Sequence, residues 1–64
     1  MKASKYDKLD YILESYINGN ISQAKDLIKK YGKKNFKNDF YPYLTTLYAD
    51  SKALEFDHKI NQLL

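Results

Sequence analysis

His58 is the only imidazole in the chain, and it follows Glu55 by three residues. Glu-x-x-His puts a carboxylate and an imidazole one helical turn apart, the spacing used by di-iron helical bundles. A homodimer would supply two such pairs and add two Glu14 carboxylates. Bundle ligands must point inward, however, and Glu55 and His58 fall on the side of their helix away from the apolar stripe Ala53, Phe56 and Ile60. A solvated His beside an acid, with Glu55 and Lys59 as an exposed i,i+4 pair, is the reading this geometry favours. Nucleophilic catalysis finds no better footing. The chain has no Cys, and Ser4, Ser15, Ser22 and Ser51 stand at helix starts or on polar faces. The carboxylate pairs Asp7/Asp10 and Asp10/Glu14 would need a cleft to shift their pKa values, and a domain this small offers little of one. The expectation is a non-enzymatic protein with no metal and no cofactor.

Charge is the most uneven feature. Residues 25–37 hold Lys25, Lys29, Lys30, Lys33, Lys34 and Lys37 against Asp26 alone, a local +5 in a chain of net +3, so the remainder sums to −2. Five of these lysines crowd into Lys29–Lys37, interleaved with Tyr31, Asn35 and Phe36. One reading is a contact for phosphates or for an acidic protein surface. The other is a solvated link between two helices, in which lysines complement the negative end of the first.

The run NISQAKDLIKKYGKKNFKNDFYPYL has the layout of a helix-turn-helix, the alternative that makes the chain a nucleic-acid-binding regulator. Its register is poor. If Ala24 is the small residue at the helix crossing, the turn glycine falls on Ile28; if Gly32 is the turn, the small-residue position becomes Ile28. The would-be recognition helix carries Pro42 and lacks Arg, the commonest bidentate reader of guanine, leaving Asn35 and Asn38 as adenine readers. Base stacking on Tyr31, Phe36, Tyr41 or Tyr43 is weaker still, since most of these tyrosines and phenylalanines lie on apolar stripes and no sheet is expected to carry them.

The elements that must position these groups are helices. Tyr6, Leu9, Ile12, Leu13, Tyr16 and Ile17 share one stripe, with Asp7, Asp10, Glu14 and Ser15 opposite. Ser4 with Asp7 predicts the cap, and Asn18-Gly19 the end. A second helix begins at Asn20 to Ser22, either with a capping box of Asn20 and Gln23 or with Ser22 as the cap. It buries Ile21, Ala24, Leu27, Ile28 and Tyr31, and stops at Gly32. A third runs from about 36 or 39 to 49, capped by Asn35 or Asn38. Phe36, Phe40, Tyr41, Leu44, Leu47 and Tyr48 form its stripe, and Pro42 points away. A break near Asp50 opens a fourth, with Ala53, Phe56, Ile60, Leu63 and Leu64 inward. No segment alternates as a half-buried strand does. The expected architecture is all-α, one domain over residues 1–64, a compact bundle of three to four short helices.

Sixty-four residues bound the rest. Such a chain buries only about 60% of its unfolded surface, so an oligomer or a partner would add to its core, and a homodimer is one such arrangement. Without cysteines, a signal-peptide core or an apolar run near the ~20 residues of a membrane span, the expected setting is the cytoplasm. Beyond the lysines, the first helix offers an acidic strip of Asp7, Asp10, Glu14 and Ser15 with Tyr11 among them. The core does not claim that Tyr, and interfaces favour such anchors. The candidate contact residues are therefore Lys29, Lys30, Lys33, Lys34, Asn35, Lys37 and Tyr11, for a protein partner first and nucleic acid second.

The stretch LESYINGNISQAKDLIKKYGKKNF resembles the short helical modules of small accessory proteins of bacteriophages and mobile elements. In those modules an apolar helix end meets an Asn-Gly-Asn turn, and a second amphipathic helix follows with a basic tail. The Arg-free, Lys/Asn/Tyr/Ile-rich composition also suits an A·T-rich genome. The resemblance covers about a third of the chain. It implies a protein that binds and redirects a host protein, such as a defence nuclease or the transcription machinery. A positively charged module of this kind would occupy an acidic patch on its target, or join a protein–nucleic acid complex through the phosphates.

Overall fold

A capping box starts the chain's first helix. In the computed structural model, which describes residues 4–64, the Ser4 hydroxyl accepts from the Asp7 N–H and the Asp7 carboxylate accepts from the Ser4 N–H, each at 3.2 Å. Two donors that the first turn leaves orphaned are thereby satisfied. Helix α1 runs Lys5–Ile17, α2 Ile21–Tyr31, α3 Lys33–Leu44 and α4 Asp50–Asn61. The described residues contain no strand, and the protein is an all-α bundle. Gly19 and Gly32, at φ 85° and 102°, take the left-handed backbone that ends α1 and α2. No described helix is long and apolar enough to cross a membrane.

The core draws on all four helices: Leu9, Ile12 and Leu13 from α1, Ile28 from α2, Phe36, Phe40, Tyr43 and Leu44 from α3, Ala53 and Ile60 from α4. Phe36 and Phe40 are fully buried and stack at 4.5 Å between centroids. Each contributes about 1.5–3 kcal/mol by leaving water. Helix α4 lies mainly on α3 and α1 mainly on α2, while the Tyr48 ring in the α3–α4 link stacks on Phe56 at 5.2 Å.

Several local expectations are corrected. Asn20 is the α2 N-cap but makes no side-chain cap bond, and Ser22 lies inside the helix. Gln23 closes no box because its amide instead donates to the Tyr11 hydroxyl at 2.8 Å. Helix α3 begins at Lys33 with Gly32 as its N-cap, capped by neither Asn35 nor Asn38. It ends at Leu44 rather than 49. Pro42 therefore sits in the last turn, facing solvent, where it lacks the N–H that would bond the Asn38 carbonyl and its ring crowds that carbonyl. Just beyond it the Thr45 and Thr46 hydroxyls donate to the carbonyls of Pro42 and Tyr43, both at 2.7 Å, giving the freed acceptors of a helix end local partners. With the helix stopped there, Leu47 leaves the stripe and is exposed. Tyr6 and Ile17, near the two ends of α1, are exposed as well. Ser15 is buried instead of solvated, its hydroxyl donating back to the Tyr11 carbonyl at 2.9 Å. The break before Asp50 stands where the phase change places it.

Candidate functional site

Tyr11 projects from the middle of α1 toward α2 and α3. It helps line a groove of about 410 Å³ with Ile12, Leu27 and Tyr31 as its other apolar or aromatic walls and Lys8, Lys30, Asn35 and Asp39 as its polar ones. Three helices thus meet at one concavity. Tyr11 remains half-exposed at 52%, its hydroxyl anchored by Gln23, which presents the ring rather than letting it swing. Opposite it, the Tyr31 hydroxyl donates to Asp39 Oδ2 at 2.7 Å. Burial first, and then that bond, push the Tyr31 phenol up to about 12, so it stays a neutral donor at any physiological pH. The groove therefore combines aromatic walls of fixed orientation with two lysines that make no ion pair. Among the described residues the sole ion pair is Lys59 with Glu55, at 2.9 Å.

The lysines of the basic cluster do not all line one cleft. Lys30 and Asn35 line the Tyr11 groove. Lys29 and Lys33, joined by Lys25, line a separate cleft beside Leu63 and Leu64. Lys34 and Lys37 are exposed and line neither. Lys29 and Lys30 are neighbours on α2, so their side chains leave it about 100° apart, and Gly32 alone then separates α2 from α3. The same link bears on the helix-turn-helix layout, whose turn is three to four residues. Here α2 and α3 are separated by Gly32 alone, and α3 buries Phe36, Phe40, Tyr43 and Leu44 in the core.

The acidic strip of α1 is largely consumed by structure. Asp7 caps its own helix, and Asp10 accepts from the Tyr43 hydroxyl at 2.6 Å, joining α1 to the end of α3. Tyr43 itself is buried, and burial and the Asp10 bond raise its phenol well above the usual range. Of the strip, Glu14 is exposed with no side-chain hydrogen bond to a described residue, and the Tyr11 ring is exposed with its hydroxyl held by Gln23.

Glu55 and His58 both face solvent, Glu55 toward Lys59 and His58 toward the Gln62 amide at 3.1 Å. No group of three or more His, Asp or Glu residues among those described is close enough to hold a metal ion. Lys8, Leu27 and Asp39 were not marked as site residues by the sequence, and Tyr31 was weighed only as a stacking ring. Leu27 and Tyr31 lie on the α2 core stripe, and nothing local tells a stripe's buried centre from a margin that lines a groove. Comparisons with protein-family models, with curated proteins and with solved structures find no match to this chain.

Proposed function

We propose that the protein is a non-enzymatic binding module that docks on a protein partner in the cytoplasm, through the groove of Tyr11, Lys30 and Asn35. The observation that carries this reading is their convergence. An aromatic picked from one helix and two polar groups picked from a basic cluster line a single concavity. Its volume of about 410 Å³ suits one or two inserted side chains. Its unpaired Lys8 and Lys30 favour carboxylates beside that anchor, with Asn35 and Asp39 as hydrogen-bonding groups for the segment's backbone or hydroxyls. The occupant is thus a protein segment bearing a large apolar anchor flanked by acids. Aromatic anchors supply most of the affinity at such sites, while the lysines steer association and set its salt dependence. A modulator or inhibitor of a host defence or nucleic-acid-processing system is the role the phage-module resemblance implies, and a cationic groove suits an acidic patch on such a target.

A peptide-display selection against the immobilised protein tests this. Enriched sequences should share a Leu or aromatic anchor with neighbouring Asp or Glu, and should bind Lys34→Glu normally but Tyr11→Ala and Lys30→Glu at least tenfold more weakly. Failure to enrich any such pattern, or equal binding to all the variants, contradicts the reading.

A further inference from the structure

The second cleft has a composition unlike the first. Its volume is about 200 Å³, and it is lined by Lys25, Lys29, Lys33, Leu63 and Leu64, with no Asp or Glu side chain among them. Lys25 and Lys29 stand one turn apart on α2, a rise of about 6 Å. Lys33, the first residue of α3, lines the same cleft from across the Gly32 link. None of the three lysines makes an ion pair with a described residue.

We propose that this cleft is a contact for one strand of a nucleic-acid backbone, with Lys25, Lys29 and Lys33 on successive phosphates and Leu63 and Leu64 against the sugars. Ammonium groups are point charges with no bidentate geometry, so they grip phosphates and read no base. Three lysines fall short of the four to eight that mark an anionic lipid surface, and a cleft fits a strand better than it fits a plane. This site shares no residue with the Tyr11 groove. A module that holds a protein with one surface and phosphates with the other would seat itself on a protein–nucleic acid complex. The two contacts nevertheless stand or fall separately.

The test is fluorescence anisotropy with a labelled single-stranded oligonucleotide of mixed sequence across a salt series. Three phosphates neutralised on a single strand give a log–log slope of about −2, a loss of roughly twentyfold in affinity for a fourfold rise in salt. The triple variant Lys25→Gln/Lys29→Gln/Lys33→Gln should lose binding and slope. The charge-matched variant Lys34→Gln/Lys37→Gln/Lys52→Gln, like Tyr11→Ala, should keep both. All these lysines are exposed on helices, and Gln is a good helix former, so circular dichroism should show every variant folded. Equal weakening by the two triple variants would reduce the site to diffuse charge and overturn the proposal. So would absence of binding at low salt, equal competition by poly-glutamate, or tighter cleft-dependent binding to vesicles of equimolar phosphatidylcholine and phosphatidylserine.

Discussion

Replacing Tyr43 by Phe deletes one oxygen and leaves the ring in its place. That oxygen donates to Asp10 Oδ1 at 2.6 Å across 33 residues of sequence, from a side chain only 6% exposed. A hydrogen bond to a charged acceptor contributes about 1.5–3 kcal/mol. Asp10 is exposed, and solvent screening lowers this one to about 1–1.5 kcal/mol. At 0.05–0.15 kcal/mol per residue, a domain of this length is stable by about 3–10 kcal/mol, so the loss is a readable fraction. Urea unfolding followed by circular dichroism on the wild type, Tyr43→Phe, Asp10→Asn and the double variant closes a thermodynamic cycle. Tyr43→Phe should lower the midpoint without changing the m-value, and the cycle should return a coupling of about 1 kcal/mol. A coupling below about 0.3 kcal/mol refutes the bond. Asp10 would then return to the docking surface, and the acidic strip of α1 would have to be reconsidered as a contact in its own right.

Other expectations follow from groups the core holds awkwardly. Asp57 Oδ1 and Asn61 Oδ1 are buried without partners one turn apart, and burial raises the Asp57 carboxyl above its usual range. Asp57→Asn removes a charge near the negative end of α4 and offers Asn61 a donor. In urea unfolding it should stabilise by about 1 kcal/mol at neutral pH, the low end for an orphaned group because the residue is only half-buried. Since folded Asp57 holds its proton more tightly than the unfolded chain does, wild-type stability falls as pH rises through that titration. The gain from Asn should therefore vanish in acid, and a pH-independent gain contradicts the assignment. At the other extreme, folded Tyr31 keeps its proton to about 12 against an ordinary 10.0. Its contribution is intact below pH 10.0 and is lost between there and about 12. Tyr31→Phe should make the alkaline decline shallower, and an unchanged decline would be inconsistent with the Asp39 bond. Gly32→Ala should cost more than Gly19→Ala in the same assay. A Cβ at Gly32 meets Asn35 Nδ2 at 3.1 Å, whereas one at Gly19 meets nothing within 4 Å. Both positions carry a positive φ, which costs a residue with a Cβ about 1 kcal/mol or more. Equal losses would mean that Asn35 yields freely.

What local chemistry dictates was legible in the residues. Ser4 with Asp7, the two glycines, and the phase change between Tyr48 and Ala53 mark helix ends because each acts within one turn. The α3 boundaries were not legible, since Lys33, Lys34 and Asn35 carry no apolar periodicity and Asn35 and Asn38 look like caps. Their helix is supported instead by Phe36 and Phe40 packing into the core. Tyr43 and Asp10 are 33 residues apart, beyond the reach of any local pattern. The site shows the same division. Tyr11, Lys30 and Asn35 were each identifiable from type and setting, but their meeting depends on how α3 leaves Gly32. Lys29, next to Lys30 on α2, faces a different cleft with Lys33, and Lys34 and Lys37 line neither.

The docking groove is tested most directly by a charge swap on the tightest peptide from the display selection, with dissociation constants measured by titration. Lys30→Glu should weaken the parent peptide at least tenfold, and reversing the peptide's neighbouring acid to Lys should restore binding to that variant while weakening the wild type. Parent and reversed peptides binding the wild type and Lys30→Glu alike would show that the groove of Tyr11, Lys30 and Asn35 is not where the partner sits.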